Sequence, residues 1–288
     1  MLSLPTSVLS PQLTERLEEA NGRYDIQYYI YIITLAMRNI SLARLIGMEP
    51  KEQSFPQLDL EKEVQKAKWF KEDLEKGGWN PRFNVPGRFD SWSKTFLGEE
   101  FAVKVLFLFQ DMPMPAEKFA EMMHPSNMEI RTKWDDAFQD IEILETGPGG
   151  SLIVSTRIAL SCPLTDREMV LFASTTREID WYGKKAFAMF VKNASHPSKP
   201  VGENGLVRAT NGGNFYIISP DEKEPESKCQ VFGLTNNNYN GWLPNARMEW
   251  LVGRNAPKVF HKLQNNAIEG YNLYFKNKEV NSADNSKD

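Results

Sequence analysis

A series of short β-rich segments fills residues 88–237, and one long helical stretch follows it. The segments alternate apolar and polar residues, a period of two that is typical of half-buried strands. Strands are predicted at Arg88–Thr95, Glu100–Gln110, Phe138–Thr146, Ser151–Ser161, Met169–Asp180, Lys184–Asn193, Gly205–Gly212 and Gln230–Asn237. The run Gly147-Pro148-Gly149-Gly150 predicts a hairpin turn between two of them. The pattern therefore favours an α+β fold built on an antiparallel sheet.

The helical segments decide how this sheet is covered. Two short helices fit between Pro115 and Trp134, and a long one fits from Pro244 to about Phe275. A strongly curved antiparallel sheet with one long C-terminal helix across its open side forms a helix-grip. The sheet and the helix then enclose a cavity.

The rest of the chain divides around this domain. The predicted organisation is a helical extension at 1–57, a surface helix at 58–78, the main domain at 79–276 and a polar tail at 277–288. In the extension, a helix over Asp25–Leu45 would carry one apolar stripe, formed by Ile26, Ile30, Ile33, Met37 and Ile40. The β-branched and aromatic residues of Tyr28–Ile33 also allow a strand there.

Composition narrows the class of protein. The net charge of -4 gives no electrostatic footprint for nucleic acid. Two cysteines, Cys162 and Cys229, suit a reducing compartment, and a single disulfide between them is the alternative. The best candidate for a membrane span, Ile26–Ala36, is too short, since a span needs roughly 20 apolar residues. Without a secretory signal, we expect a cytoplasmic protein, with a mitochondrial location as the alternative.

Four short motifs occur in order along the predicted domain. They are Ile130-Arg131-Thr132-Lys133-Trp134-Asp135, Pro163-Leu164-Thr165-Asp166-Arg167-Glu168-Met169-Val170, Gly205-Leu206-Val207-Arg208 and Asn240-Gly241-Trp242-Leu243-Pro244. These resemble the R-x-x-W-D, P-x-x-x-R-D-x-V, G-x-V/I-R and G-G-W-L-P stretches of the START (StAR-related lipid transfer) family. The resemblance spans about residues 79–276, with Trp79 where the domain usually begins.

The resemblance implies a protein that holds one lipid in its cavity and visits membranes transiently. Similarity to the phosphatidylcholine-transfer branch of the family places Arg131 and Asp135 at a phospholipid phosphate. A guanidinium suits a phosphate through forked hydrogen bonds, and a carboxylate would orient the fork. The other candidate lipid-binding residues are Arg167, Trp242 and, on the lid face of the last helix, Met248, Leu251, Val252 and Val259.

The walls of the cavity are predicted from the strands. They are Val103, Val105, Phe107 and Phe109 or their neighbours on the same strand, together with Ile153, Ile158, Phe187, Met189 and Val191. The same residues could instead fill a dry core. Structural roles are also open for the motif residues, with Trp134 and Trp242 as packing residues, Asp135 as a cap or ion-pair partner, and Arg167 in an ion pair on its loop.

The class of lipid is predicted from three further positions. The aromatic residue that would cage choline falls near Thr156, and the polar pair of the sterol binders falls near Val154 and Ala173. Thr156 is not aromatic, which speaks against a choline cage. The apolar Val154 and Ala173 favour an anionic or zwitterionic phospholipid over a sterol, and some other apolar ligand is the next alternative.

No catalytic or metal-binding pattern stands out. The histidines His124, His196 and His261 are isolated, and metalloprotease, nucleophile-elbow and P-loop motifs are missing. We therefore expect no enzyme, no metal and no cofactor, although related cavity folds include cyclases and hydrolases. The alternative function is a non-catalytic accessory subunit of a larger, mitochondrial membrane complex, with residues 1–57 contacting a protein partner.

Overall fold

The computed structural model describes residues 55–135, 139–158, 165–202, 205–240 and 245–276, with the side chains of 139 and 245–254 excepted. The apolar stripe predicted in the N-terminal extension lies outside the described residues, and so does the polar tail at 277–288.

The described helices are few and the strands are many. The helices are α1 (Leu60–Lys76), α2 (Ala116–Met123), α3 (Met128–Arg131) and α4 (Asn245–Tyr271), which continues as a π-helical turn at Asn272–Lys276. The strands are β1 (Asn80–Val85), β2 (Phe89–Thr95), β3 (Val103–Met112), β4 (Gln139–Thr146), β5 (Leu152–Ile158), β6 (Arg167–Ala173), β7 (Arg177–Trp181), β8 (Lys184–Asn193), β9 (Val207–Arg208), β10 (Thr210–Asn211), β11 (Asn214–Pro220), β12 (Cys229–Thr235) and β13 (Asn237–Asn238).

Most of these strands form one sheet. Among the described residues, its order is β1-β2-β3-β12-β11-β8-β6-β5-β4, with β7 also paired to β8, β9 paired to β6, and β10 and β13 forming a separate pair. Every pairing is antiparallel except that of β9 with β6. The antiparallel sheet, the short α2 and α3 and the long C-terminal α4 confirm the predicted α+β helix-grip class.

Helix α1 covers one face of the sheet, which we call the outer face. Asp59 caps its N-terminus by accepting a hydrogen bond from the Lys62 amide at 3.1 Å. Its apolar stripe includes the buried Val64, Ala67 and Phe70, and the Phe70 ring lies 6.1 Å from that of Phe215 on β11. The helix predicted at 58–78 is therefore packed against the sheet by its apolar side.

Two parts of the sheet differ from the expectation. The strand predicted at Met169–Asp180 is two strands, because the chain breaks after Ala173 and Ser174 Oγ accepts from the Phe190 amide at 2.9 Å. Strand β8 is long enough to pair with β6 through one end and with β7 through the other. Strands β1 and β11 were not predicted. The first is mostly exposed and contains Pro81, and the second is a short apolar run without alternation.

Gly233 on β12 lies directly opposite Phe107 on β3. A β-carbon at this position would be 2.1 Å from Phe107 Cζ, so the aromatic ring occupies the place of a side chain. We expect Gly233→Ala to lower the free energy of unfolding by about 1–3 kcal/mol, as overpacking of a core does. Denaturant unfolding measures this. In the Phe107→Leu background the same change should cost less, and equal costs in both backgrounds would contradict the steric explanation.

Candidate functional site

The other face of the sheet, which we call the inner face, carries an apolar wall. The predicted wall residues of β3 and β8 lie there, namely Val103, Val105, Phe107, Phe109, Phe187, Met189 and Val191. On β5, Leu152 and Val154 belong to an inner-face cluster with Met169 and Leu171, in place of the predicted Ile153, since alternate residues of a strand face opposite sides. Ile158 is partly buried against that cluster.

Helix α4 lies across the inner face over β1, β2 and β3. Its second half packs through Leu263, Ala267 and Tyr271, and the Phe260 ring stacks on Phe107 with centroids 4.1 Å apart. Val259, expected on the lid face, is instead 49% exposed, because one residue along a helix turns the side chain by about 100° from the face that Phe260 marks. The predicted lid residues Met248, Leu251 and Val252 lie in the first turns of α4, where the side chains are outside the described part of the structure.

Arg131 and Asp135 form an ion pair within this apolar surrounding. Arg131 Nε donates to Asp135 Oδ2 at 2.9 Å, and the two side chains are 4% and 1% exposed. Arg131 ends α3 and Asp135 follows one turn later, so the four-residue spacing brings the two groups together. Arg131 is therefore not a surface residue of the short helix that contacts only water.

Two further side chains surround the pair. Tyr216 on β11 interacts with Arg131 through its hydroxyl; burial raises the pKa of Tyr216, although the charge of Arg131 opposes that effect. The Trp134 ring centroid lies 5.9 Å from Arg131 Cζ. The indole Nε1 of Trp134 is buried without a hydrogen-bond partner. A cation and an unsatisfied N–H donor together give this spot two features that would suit an anionic group.

Trp134 also contacts α4. A β-carbon on Gly270 would lie 2.6 Å from Trp134 Cγ, so the glycine lets the helix approach the indole closely. The predicted packing role of Trp134 is confirmed by its 5% exposure and its place in the core formed by β3 and the second half of α4.

Arg167 has other partners than those expected. Its guanidinium donates to the backbone carbonyls of Tyr239 and Thr165, both at 2.6 Å. The loop ion pair predicted for it is wrong. Asp166 pairs with Arg157 at 3.0 Å, while Glu168 pairs with Arg208 at 2.8 Å. Burial lowers the pKa of Arg167, and its hydrogen bonds tie the start of β6 to the segment that leads into α4. Trp242, on that segment, lies outside the described residues.

A set of asparagines supports the same segment and was missed by sequence reasoning. Asn211 Nδ2 donates to Asn237 Oδ1 at 2.9 Å, the Asn236 amide donates to Asn214 Oδ1 at 2.7 Å, and Asn240 Nδ2 donates to the Arg208 carbonyl at 2.9 Å. Asn240 has a φ of 48°, a left-handed conformation that asparagine tolerates. The run Asn236-Asn237-Asn238 was the available signal, because short amides bond to local backbone and favour turns.

Two polar side chains of α4 also face the sheet. Gln264, fully buried, donates to the Arg88 carbonyl at 2.8 Å. His261 lies between Phe83 and Phe89, with ring centroids 5.4 and 5.6 Å away. Its Nε2 is buried without a partner. Burial, together with the charge of Arg88, lowers the pKa of His261.

This lowered pKa predicts an acid-dependent loss of stability. As the pH falls, His261 takes up a proton at its ordinary pKa of 6.5 in the unfolded chain, and only at a lower pH in the folded protein. The contribution of this residue therefore falls as the pH drops below about 6.5. His261→Phe keeps an aromatic ring without the charge, so its unfolding free energy should depend less on pH between about 7 and 5. Parallel pH profiles from chemical denaturation of both proteins would refute this assignment.

The described residues contain no cluster of three or more His, Cys, Asp and Glu side chains arranged to hold a metal. None of the helices in the described ranges has the length and apolar character that a membrane crossing requires.

Comparison with known proteins identifies the family to which this fold belongs. No curated protein sequence matches the chain. Among solved structures, human STARD10 superposes with a TM-score of 0.60 at 19% identity over 80% of this chain and 87% of its own. Human StAR-related lipid transfer protein 5 gives 0.57 at 14% identity over 74% of this chain and 98% of its own. The START domain model matches residues 60–267. The chain therefore belongs to the START domain family, whose members bind and transfer lipids.

Proposed function

We propose that this protein holds a single phospholipid between α4 and the inner face of the sheet, without acting as an enzyme on it. The buried ion pair of Arg131 and Asp135 carries this proposal, because it sets a charged group into a wall that is otherwise apolar. The acyl chains would lie along the apolar residues of β3, β5 and β8, and the phosphate would reach Arg131. Loading and release require transient contact with a membrane surface.

The chemistry of the pair favours a phosphate. A guanidinium presents five N–H donors in a planar fork that matches phosphate oxygens. Asp135 Oδ2 accepts a hydrogen bond from Arg131 Nε and so fixes the plane of the guanidinium. The Trp134 indole N–H is a neighbouring donor whose hydrogen bond a ligand oxygen would supply.

The neighbouring strands support a phospholipid over a sterol. By the family resemblance, the polar pair of sterol binders corresponds to Val154 and Ala173, which are apolar and buried here. The position of the choline-caging aromatic corresponds to Thr156, also buried. Cation–π recognition of choline at that position is therefore not available, and the phosphate becomes the main point of recognition.

Native mass spectrometry of the purified full chain, followed by lipid extraction, tests the proposal. We expect a one-to-one complex whose released ligand is a phospholipid. Recovery of a sterol alone, or of protein that takes up no phospholipid from vesicles, would contradict it.

A second candidate function is that of an accessory subunit in a larger assembly, such as one on a mitochondrial membrane. It is favoured by the predicted extension at 1–57, which precedes the part matched by the family model. The extension would then contact a protein partner while the START domain keeps its lipid site. The mass of the protein in native extract, measured by size exclusion, separates a free carrier from a subunit.

A further inference from the structure

A cavity lies on the outer side of the sheet, apart from α4. Its volume is about 440 Å³, and it opens between α1, the segment joining β2 to β3, and the turn before β11. That volume is within the range of small-molecule sites. We call it the α1 pocket. It shares no residue with the proposed lipid site.

Aromatic side chains form much of the α1 pocket. Trp69, Phe70, Phe96 and Phe101 line it. The Trp69 ring is 4.9 Å from Phe70 and 6.0 Å from Phe96 by centroids. Trp69 is 45% exposed, although it is a large aromatic residue. This wall would suit a planar apolar body.

The pocket also contains a buried acceptor without a partner. Asn236 lines the pocket at 3% exposure, and its Oδ1 has no hydrogen bond. Its Nδ2 donates to the Gly212 carbonyl at 3.3 Å. Exchanging the two amide atoms would set oxygen against oxygen, so this orientation is the favourable one. A β-carbon on Gly212 would lie 2.6 Å from Asn236 Nδ2, so the glycine preserves this arrangement. The orphan Oδ1 calls for a ligand N–H or O–H.

A lysine supplies the positive charge. Lys66 lines the pocket and donates to the Gly212 carbonyl at 3.3 Å. Of the carboxylates nearby, Glu63 pairs with Lys192 and Glu99 with Lys104, while Glu100, which also lines the pocket, is exposed to solvent. Within the described residues, Lys66 itself has no carboxylate at ion-pair distance. Burial is the main cause that lowers its pKa, so an anion beside this ammonium would be favourable.

We infer that the α1 pocket binds a small amphipathic anion that has an aromatic body and one N–H or O–H donor. The aromatic wall takes the ring, Lys66 takes the anionic group, and Asn236 Oδ1 accepts from the donor. The site is independent of the lipid between α4 and the inner face.

Calorimetric titration with indole-3-propionate tests this inference, because the probe carries an indole ring, an N–H and a carboxylate. The full chain should bind it at least about tenfold more tightly than the neutral indole-3-propionamide. N-methylation of the indole, which removes the donor, should also weaken binding severalfold. Equal affinities for the acid and the amide, or no binding of the acid, would overturn the inference.

Two variants locate the probe. Lys66→Met should abolish the preference for the acid, whereas Lys62→Met, an exposed lysine on the same helix, should retain it. Thermal unfolding of both variants confirms that they fold. The lipid-site double variant Arg131→Met/Asp135→Leu should bind the probe as the parent does. Loss of binding in that double variant, with Lys66→Met unaffected, would assign the probe to the lipid site and refute the inference.

Discussion

Replacing Asp135 with alanine is expected to lower the free energy of unfolding by about 3–5 kcal/mol, as the breaking of a buried ion pair does. The change leaves the Arg131 guanidinium, 4% exposed, without its carboxylate in a mostly apolar surrounding. Urea unfolding followed by circular dichroism measures the loss.

The matched control removes both charges together. Arg131→Met/Asp135→Leu replaces the pair by apolar side chains of similar size, which is often neutral or stabilising. The double variant should therefore be more stable than Asp135→Ala. A loss of less than about 1 kcal/mol in the single variant, the range of exposed ion pairs, would show that the pair is solvated in solution.

The same double variant is expected to lose phospholipid at least about tenfold relative to the parent. A charge-assisted hydrogen bond contributes about 1.5–3 kcal/mol, and each 1.4 kcal/mol is a tenfold change in affinity. Arg131→Met alone is a weaker test, because it leaves Asp135 buried without its cation and so confounds binding with stability. Quantitative lipid extraction after incubation with phospholipid vesicles gives the loaded fraction.

Diacylglycerol provides the control ligand, since it shares the acyl chains and lacks the phosphate. Its uptake should be the same in the parent and in Arg131→Met/Asp135→Leu. If the double variant carries as much phospholipid as the parent, Arg131 does not bind a phosphate and the pair is structural. If both ligands are lost equally, the substitutions have damaged the apolar site itself.

The architecture was largely predictable because it depends on local patterns. The wall positions predicted on β3 and β8 share one face of the sheet, and the spacing of Arg131 and Asp135 predicted their contact. Ile153 was assigned to the wrong face. Both faces of β5 are apolar there, so alternation carries no signal.

The partners of Arg167 could not be predicted from its neighbours in sequence. Its carbonyl acceptor Tyr239 is 72 residues away, and the nearby acids Asp166 and Glu168 are taken by other arginines. The α1 pocket was missed for the same reason. Lys66, Phe101 and Asn236 come from three distant segments, and only the fold brings them together.

Pro257 lies inside α4 and divides it into two mechanical parts. Proline has no amide hydrogen, so the carbonyl of Gly253 lacks its helical donor and the helix is weakened at that turn. The second part is anchored through Leu263, Ala267 and Tyr271, while the chain before the first part is clamped by Arg167 at Tyr239. The first three turns of α4 are therefore held at Tyr239, before their start, and can bend at Pro257, at their end. Movement of residues 245–256 alone would open a path for a ligand and leave the packing of Leu263, Ala267 and Tyr271 in place. We expect the amide hydrogens of 245–256 to exchange with solvent faster than those of 261–271.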